Sequence, residues 1–170
     1  AQVAKRFDVE DDHYVLALTT ELKRDFPKLT PSVELCLSVS QGTTASAKLR
    51  HLRTLRRFAH TVSNSSLGMY FEDWRKWFQE PHDSNLECPS ALYLPDMPTM
   101  TEFPLLAGLT ALTELQMLGW TSMTTPPVLT GLTSLEMLFM DGWTSMTTPP
   151  VFTGLTTLAI LYINGWTSMK

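Results

Sequence analysis

Ten residues, Gly119-Trp120-Thr121-Ser122-Met123-Thr124-Thr125-Pro126-Pro127-Val128, recur unchanged from Gly142 to Val151. Gly165-Trp166-Thr167-Ser168-Met169 begins the same run a third time, and the period is 23 residues. A period of this size restricts the chain to architectures that stack one small unit, because each unit finds its interior only against its neighbours. Aligned on the period, Leu109, Leu132 and Leu155 open three clear coils. Leu112, Leu135 and Leu158 follow, then Leu115, Leu138 and Leu161, then Met117, Met140 and Ile163. The segment from Leu86 carries Leu92, Leu94, Met97, Met100 and Pro104 in matching places, with Pro89 where a leucine is expected, and reads as a degenerate first coil. The coils are therefore 86–108, 109–131, 132–154 and an incomplete 155–170.

The run Leu135-x-x-Leu138-x-Met140-x-x-Trp143-x-x-Met146-x-x-Pro149-Pro150 resembles the leucine-rich-repeat family. The version it is similar to has Cys or Asn after the strand and a Leu-Pro further on, as in plant intracellular immune receptors and many microbial and oomycete repeat proteins. The resemblance covers about half the chain, residues 86–170, and reaches nothing in residues 1–85. It implies an α/β fold, a short solenoid with a parallel sheet, and a non-catalytic module that binds another macromolecule on the concave sheet face.

Elementary geometry leads to the same expectation. Alternate residues of an extended segment point to opposite faces, so Leu138 and Met140 turn inward and Phe139 outward. One short strand per coil gives a parallel sheet with strands about 4.8 Å apart. The outward positions are Tyr93, Glu114, Gln116, Met137, Phe139, Asp141, Ile160, Tyr162 and Asn164, and these are the candidate partner-binding residues. Thr-Thr-Pro-Pro cannot continue a helix, since Pro lacks the donor and restricts its predecessor, so the outer arc is expected to be irregular or 3₁₀.

One departure from the family pattern stands out. Trp120, Trp143 and Trp166 occupy the place of the small Asn or Cys. An Asn would hydrogen-bond the backbone of the turn, whereas Trp brings one donor and a large ring. An inward column of stacked indoles filling the coil is the expected arrangement. Outward rings forming a carbohydrate or ligand platform are the alternative. The glycine before each Trp suits a tight turn after the strand in either case.

Residues 1–85 read as a mainly helical module. Residues 8–26 have acids from Asp8 to Asp12 at the expected first turn, an apolar stripe of Val15, Leu18, Leu22 and Phe26, and Pro27 as a stop. Val33, Leu35, Leu37 and Val39 alternate before Gln41-Gly42, which predicts a strand. Residues 45–62 form a second helix, with Leu49, Leu52, Leu55, Ala59 and Val62 on one side and Lys48, Arg50, Arg53, Arg56 and Arg57 over much of the rest. A third, from Ser66 to Glu80, presents Tyr70, Trp74, Trp77 and Phe78 next to the first coil. Because a repeat array exposes its core at each end, this aromatic helix is expected to cap the array. A membrane-surface or sugar-binding patch is its alternative role. The basic helix is expected to be a solvated face, with nucleic acid or acidic lipid as the alternative contact.

Charge divides the chain at the same place. Twelve of thirteen Lys and Arg residues lie between Lys5 and Lys76. Segment 86–170 carries Glu87, Asp96, Glu102, Glu114, Glu136 and Asp141 against Lys170 alone. The net charge of −4 argues against nucleic acid as the main partner. No apolar run approaches the ~18–20 residues that span a bilayer, and the N-terminus has no apolar signal stretch. Compartment is left open. Cys36 and Cys88 are too few for a disulfide scaffold and lack metal-site spacing; two free thiols are expected, with a single bridge as the alternative. Asn64-Ser65-Ser66 is a formal glycosylation acceptor. His13, His51, His60 and His82 fall in no ligand spacing, and no phosphate loop or Gly-x-Ser-x-Gly elbow occurs. His82-Asp83 near Cys88 has no third orienting group, so neither catalysis nor a metal or cofactor is expected. The missing initiator Met and the end at Met169-Lys170, midway through a coil, point to a piece of a longer repeat protein.

Overall fold

Four leucine-lined strands set the C-terminal half. In the computed structural model, which describes residues 2–39, 44–64 and 69–170, these are β1 (Ala91–Leu94), β2 (Glu114–Met117), β3 (Met137–Phe139) and β4 (Ile160–Tyr162). Side chains are described for residues 11–38, 44–64 and 73–170. The strands form one parallel sheet in sequence order, β1-β2-β3-β4. Their register is the sequence period itself: Leu92 faces Leu115, Leu115 faces Leu138, and Leu138 faces Leu161. Inward Leu92, Leu115, Met117, Leu138 and Met140 are fully buried. The carbonyl just before each strand repeats its bonding as well. Ser90 O accepts from the N–H groups of Thr113 and Glu114, Thr113 O from Glu136 and Met137, and Glu136 O from Ala159 and Ile160. Between strands the chain runs through turns and irregular backbone, with no helix from residue 80 onward. The Thr-Thr-Pro-Pro segments thus lie in non-helical backbone.

Four helices precede the sheet: α1 (Gln2–Asp25), α2 (Thr30–Val39), α3 (Ala45–Asn64) and α4 (Met69–Gln79), with a 3₁₀ turn over Pro27–Leu29. The fold is thus mixed α/β, and the sheet is open rather than closed into a barrel. α3 follows its apolar stripe, burying Leu49, Leu52, Leu55, Ala59 and Val62 together with Phe58. α1 begins at Gln2, six residues before the expected start, so Asp8 to Asp12 lie inside the helix instead of at its first turn. Nothing in Gln2-Val3-Ala4-Lys5-Arg6 breaks a helix, which accounts for the extension.

The strand expected over Val33–Val39 is instead the helix α2. Its buried residues, Ser32, Val33 and Cys36, recur at three- and four-residue spacing, as does Leu29 of the 3₁₀ turn before it, the helical period that the alternating valines and leucines concealed. A lone strand here would have no described neighbour in residues 2–85 to satisfy its backbone, whereas a helix satisfies its own. The Gln41-Gly42 turn, Ser65, Ser66 and the side chains of Asp8 and Tyr70 lie outside what is described.

One continuous apolar core runs from the helices into the sheet, from Leu22, Phe58 and Phe78 through Leu92 and Phe103 to Trp143. Polar ties fasten the junction. The Trp74 indole donates to Ala91 O at 2.7 Å, on the first strand. Buried Ser32 mimics a peptide partner, with its Oγ donating to Ala107 O at 3.2 Å and accepting from Ala107 N at 2.9 Å. Lys28 Nζ reaches Ser84 O at 3.0 Å and lies 5.7 Å from the centre of the Trp77 ring.

Candidate functional site

The outward face of the sheet gathers the candidate residues into columns. Tyr93, Gln116, Phe139 and Tyr162 stand in register across β1 to β4, and Glu114, Met137 and Ile160 stand two residues earlier. Asp141 and Asn164 follow just beyond β3 and β4, joined by a 2.7 Å hydrogen bond from the Asn164 N–H to Asp141 Oδ1. Strand pleat puts all of them opposite the buried leucines, so the expected set does come together on one surface. The strand burial patterns alternate in β1 and β2, with Tyr93, Glu114 and Gln116 half-buried beside fully buried neighbours. Two further residues share this face and escaped the sequence reading. Ala91 heads the Glu114 column, and Leu118 is the 23-residue equivalent of Asp141. The repeat alignment carried to every outward position would have found both.

Phe139 and Tyr162 form the most ordered feature of this face. Their rings stack with centroids 5.0 Å apart and planes 7° from parallel. That spacing is the inter-strand spacing, so the stack follows directly from equal aromatic side chains at equal register positions. Phe139 is half-buried and Tyr162 is 48 % exposed. The same edge exposes Ile160, Leu161 and Ile163, because the outermost strand has a neighbour on one side only.

The tryptophans lie on the opposite side of the backbone. Trp120 and Trp143 are fully buried and Trp166 is half-buried. Their rings stack at 5.8 Å and 6.3 Å between centroids, with Phe103 5.7 Å from Trp120 at the helical end. Each indole N–H also donates to a backbone carbonyl of the preceding unit: Trp120 to Pro95 O at 3.2 Å, Trp143 to Met117 O and Trp166 to Met140 O, both at 2.7 Å. The indole therefore satisfies backbone as a small amide would, and fills the interior as well. A ring platform on the surface is left to Tyr93, Phe139 and Tyr162. The glycine before each Trp holds a left-handed backbone, at φ +70°, +81° and +77° for Gly119, Gly142 and Gly165, which L side chains rarely adopt. At Gly142 a Cβ would make only ordinary contact, 3.5 Å from the Cα of Gly119. At Gly119 a Cβ would fall 2.9 Å from the Asp96 carboxylate.

Trp74, Trp77 and Phe78 of α4 face inward too, all three buried. The arginines of α3 are exposed, and three of them make contacts along the surface. Arg56 pairs with Glu21 at 2.7 Å, Arg50 with Glu102 at 3.4 Å, and Arg57 bonds to the Thr99 hydroxyl. Arg53, Arg56, Arg57, His60 and Thr61 line an open hollow of about 500 Å³ on that side.

Cys36 and Cys88 do not form a disulfide with each other. Burial pushes Cys36 up to about 12 and Cys88 up to about 11, since a thiolate would lose its hydration there. His51 lies 3.4 Å from Glu102, and His60 4.0 Å from Glu21. Among the described residues no three His, Cys, Asp or Glu side chains converge as a metal would require. Nor is any described helix long and apolar enough to cross a membrane. Comparison of the chain with known protein families, with curated proteins and with solved structures gives no match.

Proposed function

We propose that the chain is a short leucine-rich-repeat module that binds a protein partner on the outward face of its sheet, the face that is concave in such arrays. The observation that carries this reading is the in-register column Tyr93, Gln116, Phe139 and Tyr162, in which a half-buried Phe139 ring stacks on an exposed Tyr162 ring. Aromatic rings near the centre of an interface tend to dominate binding energy. The repeat reading is supported by strand pairing at the sequence period and by the buried indole ladder in place of an amide ladder. In this reading the helices of residues 1–85 are a cap, supported by the shared core and by the Trp74 and Ser32 ties to the first unit.

The module acts by recognition and not by catalysis. His51 is paired with Glu102 of the scaffold, and the Cys88 thiol is the weaker acid that burial makes it, unsuited to nucleophilic work at neutral pH. The test is recovery of partners with the intact chain as bait, repeated with Phe139→Asp and Tyr162→Asp after both are verified as folded by circular dichroism. Loss of the same partners in both variants is the expected result. Undiminished recovery by folded variants refutes the sheet-face reading and redirects attention to α3.

A further inference from the structure

The charge of the sheet half narrows the partner. Between Lys76 and Lys170 the sequence contains no lysine or arginine. Glu114 projects from β2 in the column beside Gln116, and Asp141 follows β3 two residues after Phe139. Neither carboxylate forms an ion pair among the described residues, whereas Glu21, Glu34 and Glu102 are each matched by a cation near the helices. The face thus sets two carboxylates without a cation partner, one of them also accepting the Asn164 N–H, on either side of a partly exposed aromatic stack.

We infer that this face takes an extended, arginine-bearing peptide segment, its guanidinium groups against the Phe139 and Tyr162 rings and its charge met by Glu114 and Asp141. The inference rests on the sheet-face reading above and adds the chemistry of what binds there. A guanidinium satisfies both features at once, because it lies flat on an aromatic ring and forks onto a carboxylate. Lysine offers only a point charge, and an acidic segment meets repulsion. Four strands span roughly 15 Å, which about five residues of extended peptide cross, enough for two arginines to reach the acids.

The test uses fluorescein-labelled peptides of about ten residues, about twice the number that crosses that span, built on Gly and Ser with arginine, lysine, glutamate or no charge at alternate positions. Binding to the full chain is read by fluorescence anisotropy. The arginine peptide is expected to bind best and the glutamate peptide least. Phe139→Ala is expected to weaken arginine-peptide binding about tenfold. Glu114→Gln combined with Asp141→Asn is expected to weaken it similarly and to flatten its decline with salt. Neutral or acidic peptides that bind as tightly as the arginine peptide overturn the inference. If such binding is lost in Phe139→Ala, the sheet face survives as the interface and only its charge selection falls. Arginine-peptide binding that survives both sets of substitutions removes the site altogether. Self-association that the same substitutions abolish identifies the occupant as a second copy of the chain, which also overturns a separate peptide partner.

Discussion

Trp143 is the residue on which the interior of the sheet half most depends. It is fully buried, stacked between Trp120 and Trp166, and bonded to Met117 O. Trp143→Ala is expected to cost roughly 3–5 kcal/mol, measured by denaturant unfolding, because it opens a large cavity in the stack. Trp143→Phe keeps most of the ring but leaves the Met117 carbonyl without its donor, a loss of about 1–3 kcal/mol. Trp166→Ala should cost less, since the indole is already half open. Equal losses at 143 and 166 would contradict the ladder account. The thiols give a prediction in pH. Folding holds Cys36 and Cys88 protonated up to about 12 and about 11, while in the unfolded chain they ionise near ~8.5. The native state therefore binds more protons above that point, and stability should fall as pH climbs from about 9 toward 11. Reaction with a thiol reagent at pH 8 should be slow for both in the native chain and rapid after denaturation.

At the scale of elements, the strands were legible from sequence because the period fixes register. Once Leu92, Leu115, Leu138 and Leu161 are aligned, pleat alone assigns Phe139 and Tyr162 to the other face. The indole ladder was half legible. Its burial follows from ring size and position, but the bonds to Pro95, Met117 and Met140 depend on the path of the preceding unit. α2 was not legible, because alternation over seven residues fits a strand as well as a short buried helix, and only the absence of a strand partner decides between them. Ser32 illustrates the same limit. It looks like an ordinary surface serine until Ala107, far away in sequence, supplies both a donor and an acceptor. Ser32→Ala leaves the Ala107 backbone unpaired in the core, with an expected loss of about 1–3 kcal/mol. A change within a few tenths would show that the tie contributes nothing.

Over the whole molecule, helices and sheet share one core, so neither half is expected to stand alone. Residues 86–170 expressed without the helices expose Leu92, Leu94 and Phe103, which the intact chain buries. Sedimentation and circular dichroism should find that fragment associated and without cooperative unfolding, and a monomer that melts cooperatively would remove the capping role. The opposite edge is open in the intact chain, where Leu161 and Ile163 are exposed. Leu161→Lys should therefore leave the melting temperature nearly unchanged and lower any concentration-dependent association. The sheet half is acidic while the helical half is nearly balanced, with twelve Lys and Arg against eleven Asp and Glu, and the central proposal is that docking occurs at the sheet. Photo-crosslinking tests it most directly, with benzoylphenylalanine placed in turn at Gln116, Phe139 and Tyr162 and, as a control, at Arg53 on α3. The account predicts crosslinks to one protein partner from the sheet positions and none from Arg53. Crosslinks from Arg53, with none from the three strand positions, would contradict it.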